Sequence, residues 1–365
     1  MRTIRLRGVV ERRAFVAKRE PGASRNALCE RGIGLNFVSL FAGIGGEHIA
    51  LKRAVAKVCA SSRNRFYACD VDPRRAASFA ANFPETTFRV RDLAKTTALD
   101  EGFSTGEIDF LWASPPCTEF SRVKGTTGLS ANVQNLANDV LNGWIRTARP
   151  RAFVVENVPG MKNWGPLDAN GARVKSRLGE YFERFLGELR ALGYAVSTFK
   201  LDGFQFGGAS KRVRLYVAGV LDASSPFAPP EPPPKIASKT IRDCLRRDLP
   251  TKPLAHLRGK ATLTRLDAAR DAGWSDALFP NHGFLHEAYP FDGPFPTLTT
   301  RPMTVVCDGL QNYRWTTAPE AGAALGFPDD FIYVGTGSDA YRGAGGSVSV
   351  DATEAILTKL FGEVF

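Results

Sequence analysis

A strand, a glycine-rich turn and a helix follow one another in the stretch NFVSLFAGIGGEHIALKRAVAKVC, residues 36–59. The apolar run 36–41 predicts a short buried strand, and the apolar residues after it recur with the i, i+3, i+4, i+7 spacing of one helix face. The glycine turn between them, FAGIGG (41–46), lets the backbone approach a ligand and presents helix N-terminal amides to it. A glycine turn alone is as consistent with tight packing as with nucleotide binding.

The same pattern recurs further along the chain. Short, continuously apolar strands are predicted at 65–71, 108–114 and 151–156, with helical patterns between them, and further strands near 194–199 and 214–220. Strands of this kind are typical of a parallel sheet that helices cover on both faces. The predicted fold class is therefore α/β, with a doubly wound and mostly parallel sheet.

Bulk composition restricts the possible classes of protein. The chain has 365 residues, of which 44% are hydrophobic, so it can bury a large core or form two domains. No run approaches the roughly 20 apolar residues of a membrane span. The six cysteines form no CxxC pair and no zinc-ligand cluster, which favours a reduced, cytoplasmic location and no structural metal.

The net charge of +11 is concentrated in two segments. Residues 1–31 hold nine Lys/Arg against three Glu, and residues 235–265 hold nine Lys/Arg against two Asp. Such segments favour a polyanionic partner, although a solvated charged face is the alternative. The proline-rich stretch SSPFAPPEPPPK (224–235) cannot continue a helix or a central strand, so we place a domain boundary at Leu221.

Asp70 ends the second predicted strand, about 25 residues after Gly45. In dinucleotide-binding folds, a carboxylate at this spacing takes the ribose hydroxyls. The alternative is that Asp70 and Asp72 merely cap the following helix. The acid and the glycine turn together favour a nucleoside-bearing cofactor.

Cys117 lies in the cysteine loop, SPPCTEFS (114–121), at the carboxyl end of a predicted strand. Open α/β sheets place ligands at this end of their strands. A lone cysteine is usually a small buried hydrophobe, but here two prolines stiffen the backbone before the thiol and a polar loop follows it. This setting suits a reactive thiolate.

Glu156 opens the tripeptide ENV (156–158), which ends another predicted strand. Alone it would be a solvated loop acid, but the glycine turn, the cysteine loop and ENV occur in the chain order of the DNA cytosine-5 methyltransferases. The chain resembles that family along almost its whole length after Asn36. The matching blocks are FAGIGG (41–46), DVDP (70–73), Asp92-Leu93, SPPCTEFS (114–121), Asn135-Leu136 with the helix to Pro150, ENV (156–158), Phe206-Gly207, KRVR (211–214), TLTTR (297–301) and GFP (326–328).

The resemblance implies a Rossmann-like methyltransferase that uses S-adenosylmethionine. Cys117 would attack C6 of cytosine, Glu156 would act at N3, and Arg212 and Arg214 would contact the target nucleotide and its phosphates. The alternative for the two arginines is a solvated position at the start of an edge strand. The residues implied at the cofactor are Phe41, Gly43, Ile44, Gly45, Gly46, Asp70, Val71, Asp92, Leu93, Pro116, Leu136, Gly346, Ser347 and Val348.

The resemblance also implies double-stranded DNA as the partner, with the target base flipped out of the helix. We predict a basic N-terminal extension (1–35), a catalytic and cofactor-binding domain (36–220), a small irregular target-recognition domain (221–295), and a C-terminal segment (296–365) that returns to the catalytic domain. A monomer is expected, and in a bacterium it would be associated with the nucleoid.

Two departures from the family pattern keep alternatives open. Ser210 replaces a usual glutamine, and Gly346 replaces an asparagine that would lie beside the cofactor. We hypothesise that Gly346 weakens cofactor binding or gives a roomier pocket that admits a bulkier sulfonium donor. A tRNA cytosine-5 methyltransferase and a catalytically impaired DNA-binding homologue remain as alternative functions. A partner in a restriction system and a stand-alone methylase are equally consistent with the sequence.

Overall fold

A seven-stranded sheet forms the centre of the large domain in the computed structural model, which describes residues 34–120, 129–234, 239–257, 259–280 and 287–365. Nearly all of the predicted N-terminal extension therefore lies outside the described residues. The strand order is β3-β2-β1-β4-β5-β7-β6, and all neighbours are parallel except β7, which is antiparallel to β5 and β6. The strands are β1 (Asn36–Leu40), β2 (Arg65–Asp70), β3 (Thr87–Val90), β4 (Phe110–Ala113), β5 (Ala152–Asn157), β6 (Tyr194–Asp202) and β7 (Val213–Leu221).

Helices cover both faces of this sheet, as predicted. On one face Phe37 and Trp112 share a core with the helices α1 and α2, and on the other Leu111 and Phe153 pack against α3 and α4. The helices are α1 (Gly46–Val58), α2 (Pro73–Asn82), α3 (Ala131–Val140) and α4 (Glu180–Ala191); a π-helical turn (Leu141–Ile145) and a last α-helical turn (Arg146–Ala148) prolong α3. The predicted doubly wound, mostly parallel sheet is confirmed.

The strand β3 was not predicted from the sequence. It is an edge strand of only four residues, and none of them is fully buried. A strand so short and so exposed carries no continuous apolar run by which it could be recognised.

A second sheet of five short antiparallel strands forms a smaller unit, in the order β10-β9-β11-β12-β8. Its elements are α5 (Ile241–Cys244), β8 (Lys252–Pro253), α6 (Lys260–Asp271), β9 (Ala277–Phe279), β10 (Tyr289–Pro290), β11 (Thr304–Cys307) and β12 (Asn312–Trp315). This region was predicted to be irregular, because strands of two to four residues are too short to show alternation. Since β11 pairs with β9, the boundary drawn between residues 295 and 296 runs through this sheet.

The last part of the chain packs on the large domain. It contains α7 (Ala318–Ala324), α8 (Gly337–Gly346) and α9 (Val350–Val364). Glu354 of α9 pairs with Arg53 of α1 at 3.4 Å, and the ring of Phe361 lies 5.6 Å from that of Phe37. Within the described ranges, no helix has both the length and the apolar character needed to cross a membrane.

Candidate active site

The carboxyl edge of the large sheet gathers the candidate residues. The strands β3, β2, β1, β4 and β5 are parallel neighbours, so the segments that follow them all emerge at this edge. These segments carry Asp92, the glycine turn and the cysteine loop, and the last residues of β2 and β5 add Asp70 and Glu156. Because β7 runs in the opposite direction, its first residues, which include Arg214, lie at the same edge.

Two glycines of the glycine turn leave no room for larger side chains. Gly45 caps α1 with φ of 100°, and a Cβ placed there would lie 2.4 Å from the ring of Phe83. A Cβ on Gly46 would lie 3.0 Å from that of Ser347, so the turn packs directly against residues 345–348. Two segments predicted to contact the cofactor, which are about 300 residues apart in the chain, therefore lie side by side.

Asp70 is bonded to the glycine turn. Its carboxylate is 3% exposed and accepts hydrogen bonds from the backbone N–H groups of Gly43 and Asp72, both at 2.9 Å, and Arg75 lies 3.5 Å away. The capping role that was the alternative for both acids belongs to Asp72, whose side chain accepts the N–H of Arg74. Asp70 instead joins the end of β2 to the turn after β1.

The neighbouring side chains fit a nucleoside group. Val71 is 61% exposed although it is apolar, and it directly follows the buried carboxylate of Asp70. An apolar surface beside a carboxylate suits the ring and the ribose of a nucleoside. Of the other predicted cofactor residues, Leu93 and Val348 are buried, Phe41, Asp92, Leu136 and Ser347 are half-buried, and Pro116 and Gly346 are exposed.

The cysteine loop is anchored to the end of β5. The side-chain amide of Asn157 donates a buried hydrogen bond of 3.0 Å to the carbonyl of Pro115, two residues before Cys117. Cys117 is half-buried, whereas Cys59, Cys69 and Cys244 are buried. Ser121, the last residue of this loop, lies outside the described residues.

Glu156 faces Arg214 at this edge. Its Oε1 lies 3.0 Å from Nε of Arg214, and both side chains are 9% exposed. Burial raises the pKa of Glu156, and the charges of Arg214 and Arg212 and the hydroxyl of Ser114 oppose that rise. A carboxyl group in this position can hold a proton at a higher pH than an exposed glutamate can.

The thiol of Cys117 lies within the same electrostatic cluster. Burial raises its pKa, Arg214 and Arg212 lower it, and Glu156 raises it. The two arginines therefore stabilise the thiolate against the cost of burial. Both arginines are buried, and β7 lies between two strands, so a solvated position on an edge strand is excluded.

Arg212 makes contacts that the sequence did not predict. Its Nη1 donates to the carbonyl of Leu298 at 2.9 Å and lies 3.5 Å from that of Gly345, and its Nη2 donates to the carbonyl of Gly346 at 3.2 Å. Its guanidinium group thus bonds to the protein backbone rather than facing an open surface. In this arrangement the guanidinium group of Arg212 is bonded to backbone carbonyls, so its predicted contact with the target nucleotide stays a prediction.

Sequence reasoning gave no individual role to Asn157 and Ser114, which contact the site, or to Glu47, which lies near Asp70. Asn157 lies inside ENV and Ser114 opens the cysteine loop, so their positions in those blocks were the available signal. Glu47 follows the glycine turn and is 5% exposed, and burial raises its pKa to about 8. No pattern in the sequence marked it as buried, because a glutamate in the first turn of a helix is usually solvated.

The fold is that of a Rossmann-like protein whose sheet edge brings together a glycine turn, a half-buried cysteine and a buried glutamate. The chain belongs to the C-5 cytosine-specific DNA methylase family, whose model matches residues 35–362. The family and the enzyme class predicted from the sequence, DNA (cytosine-5-)-methyltransferase, are confirmed.

Individual relatives agree with this assignment. The chain is 26% identical over 328 residues to the Type II methyltransferase M.MspI of Moraxella sp, covering 89% of this chain and 70% of the relative. It is 27% identical over 349 residues to the Type II methyltransferase M.HpaII of Haemophilus parainfluenzae, covering 89% and 88%. Among solved structures it resembles the S. pombe Dnmt2 methyltransferase, with a TM-score of 0.63, 18% identity, and coverage of 90% and 98%. The Entamoeba histolytica methyltransferase EhMeth gives a TM-score of 0.60, 18% identity, and coverage of 91% and 99%. The two structures bear on the fold alone.

Proposed function

We propose that this enzyme transfers a methyl group from S-adenosylmethionine to C5 of a flipped cytosine in double-stranded DNA, through a covalent bond between Cys117 and C6. The observation that carries the proposal is the arrangement at the ends of β4 and β5. Asn157 holds the cysteine loop through Pro115, and the adjacent Glu156 pairs with Arg214 at 3.0 Å. One short segment thus sets the position of both the nucleophile and the acid.

The chemistry proposed for these residues is the one that the family resemblance implies. Addition of the Cys117 thiolate to C6 turns C5 into an enamine carbon, which is a stronger nucleophile than C5 of free cytosine. Glu156 hydrogen-bonds or protonates N3 and relieves the electron density that the addition places on the ring. Arg214 orients the carboxyl group of Glu156 and stabilises the thiolate. We assign no residue as the base that removes the C5 proton before the thiolate leaves.

S-adenosylmethionine, when bound, supplies the electrophilic methyl group. The glycine turn and residues 345–348 would hold its amino-acid part, and Asp70 would take its ribose hydroxyls. Val71, Asp92 and Leu93 would contact its base.

The substrate proposal rests on charge as well as on family. The basic segment 235–265 belongs mainly to the smaller sheet unit, where Arg246, Arg247 and Lys252 are exposed. Phosphate contacts from such residues release counterions, so we expect DNA affinity to fall steeply as the salt concentration rises. These contacts would help to offset the few kcal/mol that base flipping costs.

A covalent trap tests the proposal. The protein is incubated with S-adenosylmethionine and duplex DNA containing 5-fluorocytosine, whose fluorine at C5 cannot leave as a proton does. We expect a stable protein–DNA adduct that Cys117→Ala abolishes. The matched control is Cys307→Ala, since Cys307 is also half-buried, and this variant should form the adduct like the wild type.

The same trap separates the alternatives. An adduct with 5-fluorocytosine tRNA but not with DNA would show that the substrate is RNA. No adduct on either substrate would favour a catalytically impaired DNA-binding homologue. Bisulfite sequencing of DNA from cells that express the protein would then identify the target sequence.

A further inference from the structure

The side chain of Arg212 connects two segments that are far apart in the chain. Its guanidinium group binds the carbonyl of Leu298, which lies between β10 and β11 of the smaller sheet, and the carbonyls of Gly345 and Gly346 at the end of α8. Its own backbone N–H donates to Asp202 at 2.8 Å, at the end of β6. The side chain is 4% exposed, so these bonds are shielded from water. A charge-assisted bond in such a place is stronger than the same bond at the surface.

On one side this connection reaches the predicted cofactor segment. Gly346 is followed by Ser347, whose Cβ would lie 3.0 Å from a Cβ on Gly46 of the glycine turn. A Cβ on Gly345 would lie 2.1 Å from the carbonyl oxygen of Thr299, so the two segments that Arg212 binds are already in close contact. Displacement of residues 345–348 would therefore be transmitted to the guanidinium group of Arg212, because two of its three carbonyl partners belong to this segment.

On the other side, Arg212 acts on the electrostatic cluster of Cys117, Glu156 and Arg214. The charge of Arg212 lowers the pKa values of Cys117 and Glu156, and burial followed by the nearby charge of Arg214 lowers the pKa of Arg212 to about 9. Its Nε is buried and has no hydrogen-bond partner among the described residues. The cation is thus held mainly by the three backbone carbonyls, and its position relative to the thiol depends on where they lie.

We propose that Arg212 is a positioning residue that couples the cofactor segment 345–348 to the nucleophile Cys117. This inference rests on the proposed function. When the cofactor site is filled, residues 345–348 are fixed, the guanidinium group is fixed with them, and its charge stabilises the thiolate most strongly. Because these bonds hold the segment 345–348 as well as the cation, we expect their loss to weaken cofactor binding as well as to change the thiol.

Two variants separate the charge of Arg212 from its bonding geometry. Arg212→Lys keeps a cation but cannot bind three carbonyls in a planar fork, and Arg212→Met removes the cation. The matched control is Lys211→Gln, which removes the exposed cation next to Arg212 in the chain. Affinity for S-adenosylhomocysteine is measured by calorimetry. The rate of Cys117 alkylation by iodoacetamide is measured against pH, with and without S-adenosylhomocysteine.

We expect both variants to bind S-adenosylhomocysteine at least about fivefold more weakly, the lower end of usual coupling factors, while Lys211→Gln binds it like the wild type. In the wild type, S-adenosylhomocysteine should shift the midpoint of the alkylation profile to lower pH. In Arg212→Lys that shift should disappear, and in Arg212→Met the midpoint should also rise without the ligand.

The proposal is overturned if Arg212→Lys binds S-adenosylhomocysteine like the wild type and loses only DNA affinity, since Arg212 would then be a nucleotide contact. Should both variants fail to fold, which their circular dichroism would show, the wild-type profile decides. An alkylation midpoint that S-adenosylhomocysteine leaves unchanged overturns the proposal. These measurements need neither DNA nor turnover, so their failure is distinguishable from failure of the covalent trap.

Discussion

Replacement of Glu47 by glutamine should change how the stability of the protein depends on pH. Burial, with a smaller contribution from the charge of Asp70, raises the pKa of Glu47 from 4.5 to about 8, and its Oε1 has no hydrogen-bond partner among the described residues. Between these two pH values the folded protein holds a proton that the unfolded chain has released. The contribution of Glu47 to the free energy of unfolding therefore falls as the pH rises through this window, by about 1.4 kcal/mol per pH unit and about 5 kcal/mol in all.

The glutamine of Glu47→Gln does not titrate, so the free energy of unfolding of this variant should increase relative to that of the wild type as the pH rises. Urea unfolding at pH 5 and pH 7 should show the difference in unfolding free energy, variant minus wild type, increasing by roughly 2–3 kcal/mol. The matched control is Glu85→Gln at the exposed ion pair with Lys52, whose nitrogen and oxygen atoms lie 2.7 Å apart. Partial burial pushes the pKa of Glu85 up, but Lys52 outweighs it and the pKa lies below the ordinary value, so this variant should show no such trend. A difference for Glu47→Gln that stays constant from pH 5 to pH 7 would refute the reasoning, since Glu47 would then be ionised in the folded protein.

Two further predictions concern the catalytic and cofactor residues. Glu156→Gln should slow formation of the 5-fluorocytosine adduct by about 100-fold or more, because an amide cannot supply the proton at N3, and quenched-flow trapping with Glu85→Gln as control measures this. Gly346→Asn should bind S-adenosylhomocysteine more tightly and discriminate against bulkier sulfonium donors. Gly346 is exposed, and a Cβ there meets only Cγ2 of Thr300, at 3.6 Å, so the new side chain fits. Equal affinity by calorimetry and equal rates with bulkier donors would show that Gly346 does not shape the pocket.

The central sheet and the catalytic blocks could be predicted because their signals are local. Each buried strand is a continuous apolar run, and the glycine turn, the cysteine loop and ENV each lie at the end of such a run. The carboxyl ends of parallel strands meet at one edge, so the sequence also indicated that these blocks come together. The structure agrees with that arrangement.

The environment of Arg212 could not be predicted, because it depends on contacts that no local pattern encodes. The residues that bind its guanidinium group are 86, 133 and 134 positions away in the chain, and they contribute backbone carbonyls rather than side chains. A backbone acceptor carries no residue-type signal. The bond from Asn157 to Pro115 could not be predicted for the same reason, since its acceptor is a backbone carbonyl 42 positions away in the chain. The strands of the smaller sheet unit escaped prediction because two to four residues show no periodicity.

The reversed direction of β7 is what makes the acid and the arginine into one site. In the antiparallel register Glu156 lies opposite Tyr216, and Arg214 lies two residues earlier on the same face of the sheet, within 3.0 Å of the carboxylate. If β7 were parallel to β5, its first residues would lie at the opposite edge. Turned end for end, this strand of nine residues would put Arg214 level with Ala152, four residues and roughly 13 Å from Glu156 at about 3.3 Å per residue. Among the described strands of the large domain, β7 alone departs from the parallel direction, and the proposed catalytic site requires this departure, since it brings a buried cation to the edge where the parallel strands supply the acid and the thiol.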